Sequence, residues 1–172
     1  AILVDISPEE AYAVDIFRVR GGADHAKFLH SGFGQIQMEG MELQPVEEYG
    51  RGTQMRAFRG TEHAPPGWSA DWQLEDRHGV RPGEEVHLRY VDLSEGVEAY
   101  VAEAWVSLGY DERNAEAWIP RLLVRRRGTA PLESTFVGVL EPHSGASRIA
   151  RVRRLPLETA TGEPCADAQV AV

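Results

Sequence analysis

The stretch YAVDIFRVRGGADHAKFLHS, residues 12–31, gathers an aspartate, two arginines, a glycine pair and two histidines into a run that otherwise reads as β-strand. Histidine titrates near neutrality and can serve as a general acid or base, and arginine grips carboxylate or sulfate through its planar fork. His25, His30 and Arg18 are therefore candidates for the rim of a substrate cleft, and Arg20 for substrate binding. Asp15 alternates onto the same face as Ala13, Phe17 and Val19, an apolar surface on which an unpaired charge is costly. It needs a partner: an arginine of a neighbouring strand or a backbone amide if its role is structural, a histidine or a ligand if it is functional. His25 and His30 lie five positions apart on a strand, which points them to opposite faces, so a metal ion shared between them is not expected. The pair Gly21-Gly22 lacks the GxxxxGK[ST] spacing of a phosphate loop and no helical pattern follows it, so it reads as the positive-φ turn of a hairpin.

A second group of candidates lies further along. Tyr49, Phe58 and Trp68 could stack on sugar rings while Arg51, Arg56 and Arg59 grip acidic groups. Trp68 follows Pro65, Pro66 and Gly67 and is the tryptophan expected at the surface, whereas Trp72 is expected in the core. Arg56, Arg59 and Trp68 join Arg20 as the substrate-binding set. Arg125, Arg126 and Arg127 alternate faces in a strand and suit a solvated sheet edge that discourages aggregation. Ser134 lies within a strand and has no GxSxG elbow around it, so no Ser/His/Asp triad is read. The single cysteine, Cys165, excludes an intrachain disulfide and a cysteine-based zinc site; no metal ligands are assigned in this segment and no cofactor is expected of it.

The elements that must position these groups are strands. In WSADWQLED, Trp68, Ala70, Trp72 and Leu74 share one face and Ser69, Asp71, Gln73 and Glu75 the other, the signature of a half-buried antiparallel strand. EEVHLRYVDL repeats it with Val86, Leu88 and Tyr90 inward, and VEAYVAEAWVSLGY is apolar on both faces apart from Glu98 and Glu103, as a sheet-central strand should be. AYAVDIFRVR, HAKFLHS, GQIQMEGMEL, WIPRLLVRRR, LESTFVGVLE and SRIARVRRL are further strands, separated by turn chemistry. Two short stretches carry helix signals: SPEEAYAV, with Ser7, Pro8 and Glu10 placed as a capping box, and YDERNAEAW. Residues 44–67 read as a long surface loop. The expected fold is all-β: a single domain built as an antiparallel two-layer β-sandwich with bent sheets and little helix.

Composition agrees. At 172 residues the chain suits one domain, and no apolar run approaches the ~20 residues that cross a bilayer, so no membrane partner is expected. A net charge of −9 argues against a nucleic-acid partner. The charge is uneven, −12 over residues 1–118 and +3 over 119–172, and Lys27 is the only lysine. The opening residues lack an initiating Met and a signal-type segment, the look of an excised or mature chain.

The order of motifs, YAVDIFRVRGGADHAKFLHS, then WSADWQLED, then AEAWIPRLLVRRRGTAPLESTFVGVLEPHSG and IARVRRLPL, resembles the C-terminal β-sheet region of heparinase II/III-like polysaccharide lyases from about residue 12 to 157. DIFRVRGGADHAKFLH and RLLVRRRGTAPLESTFVGVLEP are its most specific parts. The resemblance implies an upstream α/α-toroid in the same protein, an acidic polysaccharide or oligosaccharide as partner, and uronate cleavage by β-elimination. It also implies that the catalytic His and Tyr, and any zinc, belong to that upstream part, since no HxH pair or HNT-like string occurs here. Asp15, Arg18, Arg20, His25, His30, Arg126 and Glu133 match the family's motifs, as cleft rim or as scaffold of the catalytic sheet. A parent of this kind fits a periplasmic or secreted setting. The alternative is a stand-alone carbohydrate-binding β-sandwich for acidic glycans.

Overall fold

The structure, a computed structural model, describes residues 1–8, 10–47, 52–106 and 117–166. They form eleven strands: β1 Ile2–Ser7, β2 Glu10–Arg20, β3 Asp24–His30, β4 Gly34–Glu39, β5 Gln44–Pro45, β6 Met55–Ala64, β7 Ser69–Leu74, β8 Val86–Asp92, β9 Val97–Val106, β10 Ala117–Arg127 and β11 Glu133–Ser144. Every pairing is antiparallel, in a six-stranded sheet ordered β1-β2-β11-β8-β7-β4 and a five-stranded sheet ordered β3-β10-β9-β6-β5. The protein is a two-layer antiparallel β-sandwich, as the alternation predicts. Among the described residues there is no helix, and so none long and apolar enough to cross a membrane.

The main core lies between the sheets. Trp68, Ala70, Trp72 and Tyr90 of the six-stranded side meet Val97, Ala99, Leu122 and Val124 of the other, with Phe136 beside them. Burial at about 25 cal/mol per Å² of apolar surface makes this interface the main source of stability. Trp68, expected at the surface, is only 1% exposed and packs edge-on against Tyr90 at 5.7 Å between ring centroids. Its parity with Ala70 and Trp72 outweighs its proline-glycine neighbours. Trp72 is in the core as expected. Two smaller clusters cover outer faces: Met55, Phe58, Tyr100, Ile119 and Leu123 on one sheet, and Val91, Leu93 and Val139 with Ile149 and Val152 on the other.

Several local expectations yield to tertiary pairing. SPEEAYAV is not helical: β1 ends at Ser7 and β2 begins at Glu10, with Tyr12 and Val14 packing on the outer cluster. A capping box on so short a segment cannot offset helix nucleation, whereas pairing along the sheet supplies partners residue by residue. The second helix signal, YDERNAEAW, falls mostly on residues 107–116, outside the described residues. Much of the supposed loop 44–67 is β6, which pairs with β9 through two irregularities, the first between Arg56 and Arg59; Gly60 lies directly beneath the Tyr100 ring. SRIARVRRL forms no strand: the Glu141 carboxylate accepts the amides of Arg148 (2.9 Å) and Ile149 (3.1 Å), leaving the segment to cover the outer face with Ile149 and Val152. The arginine string lies in β10, between β3 and β9, so it is not at a sheet edge.

Candidate functional site

The stretches β2–β3 and β10–β11 form one unit. β2 and β3 belong to different sheets, so Gly21-Gly22, with φ of 106° and 62°, turns the chain from one layer to the other and does not close a hairpin within a sheet. β10 and β11 repeat the crossing. The two arches lie side by side, β2 paired to β11 from Arg20–Glu133 onward and β3 to β10 from Asp24–Arg127 onward. Their turns are joined by backbone bonds from Gly21 N to Leu132 O (2.8 Å), Leu132 N to Gly22 O (2.9 Å) and Gly128 N to Ala23 O (2.9 Å).

Inside the arches the polar groups are paired. Asp15 faces inward, as its alternation predicts, and its partner is Lys27 of the opposite sheet at 2.5 Å, neither an arginine nor a backbone amide. Lys27 Nζ also lies 5.2 Å from the centroid of the Tyr90 ring. Tyr90 donates to Asp92 Oδ2 at 2.6 Å, and Ser94 donates its backbone N–H to Asp92 Oδ1 at 2.8 Å. Burial raises the Asp92 carboxyl above its ordinary value despite these hydrogen bonds, and burial with the nearby Asp92 pushes the Tyr90 phenol well up. Gly138 permits the arrangement, because a Cβ there would stand 2.5 Å from the Tyr90 oxygen.

His25 is buried beneath the arch turn. Its Nε2–H donates to the Gly21 carbonyl and its Nδ1 accepts from Ser134 Oγ at 2.9 Å, so one tautomer satisfies both nitrogens. His30 is exposed on the outward face and donates to the Ser31 carbonyl at 3.2 Å. The two histidines thus occupy opposite faces. Buried His25 holds the turn in place and does not stand at an open rim.

Arg18 and Arg20 lie on the outer face and line one depression with Arg126, Glu133, Thr135, Glu95 and Arg154. Arg20 Nε bonds Glu133 Oε1 at 2.8 Å across the strand pair, both side chains largely exposed. Arg126 donates to the carbonyls of Glu95 and Gly96, with its guanidinium 5.9 Å from the centroid of the Phe136 ring. Arg56 and Arg59 are not in this depression. Both belong to β6 of the other sheet, where Arg56 pairs with Glu103 at 2.7 Å and stacks 3.8 Å from the centroid of the Trp118 ring. The expected substrate-binding set is therefore divided, and Trp68 belongs to the core. Tyr49 and Arg51 lie outside the described residues. The other two arginines of the string face outward into an acidic network. Arg125 binds Asp24 in two-pronged fashion (2.8 and 2.5 Å), and Arg127 binds Glu98 at 2.6 Å. The hydrogen bond from Arg125 is the chief cause holding Asp24 below its ordinary value.

A further constellation escaped sequence reasoning. Asp71, His87 and His143 come from β7, β8 and β11, adjacent strands of the six-stranded sheet, and one ligand atom from each lies within 4.8 Å of the others. His87 sits directly across from His143, and their rings stack 4.9 Å apart at 10°. His87 Nδ1 bonds Asp71 Oδ2 at 2.7 Å. The signal available in the sequence was parity alone: with Leu88 and Tyr90 inward, His87 must point outward, on the face that Asp71 occupies in its own strand.

The chain matches no protein-family model, no curated protein and no solved structure.

Proposed function

We propose that this chain is the C-terminal β-sandwich of a heparinase II/III-like polysaccharide lyase that cleaves uronate-containing polysaccharide by β-elimination. In this reading the arch pair scaffolds the catalytic sheet, and the depression beside it meets substrate. The observation that supports it most is the convergence of the two most family-like stretches: β2–β3 and β10–β11, some hundred residues apart, are bonded turn to turn and strand to strand. Arg18, Arg20 and Arg126 line one depression there, and a guanidinium is the side chain suited to the planar carboxylate of a uronate.

Eliminating across C4–C5 of a uronate requires neutralising the carboxylate, removing the C5 proton and protonating the departing O4. The arginines of the depression would hold the carboxylates of sugar units flanking the one cleaved and so position the chain. The base and acid would come from the upstream toroid part, as the resemblance implies, and His25, enclosed with both nitrogens engaged, is not placed to replace them. Free-standing glycan recognition is the less supported alternative, since two of its proposed stacking residues, Trp68 and Phe58, are buried in the cores.

The test is to present the full-length parent protein with heparin, heparan and alginate and to follow the ultraviolet absorbance of unsaturated chain ends. At least one polymer should give signal, and Arg18→Ala should raise KM more than it lowers kcat. Silence with every uronate polymer overturns the reading.

A further inference from the structure

We propose that Asp71, His87 and His143 form a binding site for a divalent transition-metal ion, zinc being the best match to two imidazoles and one carboxylate. The argument stands on this chain's own residues and is independent of the lyase reading.

The register puts the three side chains on one outer surface. His87 faces Gln73 on one side and His143 on the other, while Asp71, two residues before Gln73, reaches diagonally back to them. Three neighbouring strands of a sheet form a rigid base, so the donors are held without help from a mobile loop.

The state of His143 carries the case furthest. Its Nδ1 lies 2.8 Å from the Gly145 carbonyl, which can only accept, so Nδ1 is the donor there and in the neutral imidazole Nε2 carries the lone pair. A ligating histidine commonly has this arrangement, its second nitrogen fixed by a backbone carbonyl. The side chain is only 8% exposed, and Nε2 has no hydrogen-bond partner among the described residues. It points at Asp71 Oδ1, 3.7 Å away, an atom likewise enclosed and without a hydrogen-bond partner among the described residues, although the Asp71 side chain as a whole is one-third exposed. With a neutral imidazole two acceptors face each other here, an arrangement that a cation between them relieves. Two ligands of a tetrahedral zinc ion sit roughly 3.4 Å apart for bonds of about 2.0–2.2 Å, close to the separation here. A metal arriving at His87 Nδ1 would take the place of the hydrogen bond to Asp71 Oδ2, the imidazole then carrying its proton on Nε2.

The surroundings leave the site to such an ion. Arg89, directly across from Asp71 on β8, is drawn away, donating to Ser147 Oγ at 2.9 Å and to the Ile149 carbonyl at 3.1 Å. Glu141, the other acid nearby, accepts from Ser147 and from two backbone amides. His143 also borders a surface cavity of about 710 Å³ lined by Ser7, Glu10, Arg81, Glu84 and Arg148, and the Asp71 side chain is one-third exposed. Three protein ligands is the donor count that leaves a fourth position for water or a small anion.

The test is calorimetric titration of zinc into the chelator-stripped protein in its Cys165→Ser form, which removes the only thiol, with cobalt(II) as a spectroscopic probe. We expect one equivalent of zinc and the visible bands of four-coordinate cobalt. His143→Gln, His87→Gln and Asp71→Asn should each weaken zinc by more than the ~10–100-fold typical of supporting residues, whereas His30→Ala should change nothing. Circular dichroism checks that each variant is folded, and should one fail to fold, the cobalt spectrum of the parent form and the other two variants decide. Absence of saturable zinc binding, or a site that survives all three substitutions unchanged, overturns the proposal.

Discussion

Replacing Lys27 by Met tests whether the charges inside the arch serve structure. Lys27 is 7% exposed, Asp15 is 23% exposed, and they meet at 2.5 Å across the two sheets. Met keeps the length and apolar stem of lysine beside Tyr90 and removes only the charge. That leaves the Asp15 carboxylate partly buried without its cation and deprives Asp92, which has no exposure, of nearby positive charge. Removing one member of a buried pair costs about 3–5 kcal/mol, and because Asp15 keeps some contact with water the lower end, about 3 kcal/mol, applies. For a chain of this size that is a fall of ~6–12 °C in Tm. The double variant Asp15→Asn with Lys27→Met removes both charges and should recover most of the loss, since replacing a whole buried pair is often neutral. Urea denaturation followed by the fluorescence of the buried Trp68 and Trp72 measures all three proteins. The reasoning is refuted if Lys27→Met costs less than about 0.5 kcal/mol, the level of an ordinary surface change, or if the double variant is no better than the single one.

Gly138→Ala should destabilise by about 1–3 kcal/mol, because the added methyl overlaps the enclosed Tyr90 ring; Tyr90→Phe in the same background should relieve only the part due to the hydroxyl, a comparison read from denaturation midpoints. Asp24 has a lowered folded pKa, so its contribution is present above the unfolded value, 3.8, and is lost as pH falls through the lower folded value. Asp24→Asn should therefore be less stable than the parent at neutral pH, and the gap should close on acidification in paired melts. Tyr100 is pushed up to about 12 by burial first and then by its hydrogen bond to Glu98, and Tyr90 is also raised, so alkaline absorbance titration should show two of the five tyrosines ionising late. A raised phenol contributes stability that is fully present below the unfolded value, 10.0, and is lost as pH rises through the folded value, so Glu98→Gln should bring Tyr100 down and make the alkaline loss of stability smaller.

Much of the fold was legible in the sequence because a strand's period of two is local. The faces of Trp72, Tyr90 and Asp15, the central place of β9 and the absence of helical periodicity over most of the chain all followed from it. The same rule gave Trp68 its face, yet its Pro-Pro-Gly neighbours suggested the surface, and parity proved the stronger guide because one methylene-rich interface between two sheets must be filled. The helix signal at SPEEAYAV failed for the opposite reason: capping is a local preference of about a kilocalorie per mole, and β2 gains more by joining β1 and β11.

The alternation of residue types by itself determined that this protein is a sandwich of strands and which side chains turn inward. Only the tertiary structure decided who meets whom: that Gly21-Gly22 changes layers, that Lys27 answers Asp15, that Arg56 and Arg59 stand apart from Arg18 and Arg20, and that Asp71, His87 and His143 converge. Periodicity fixes the face of a residue but not its neighbour, because strand order and register come from hydrogen bonds and packing between segments far apart in the chain.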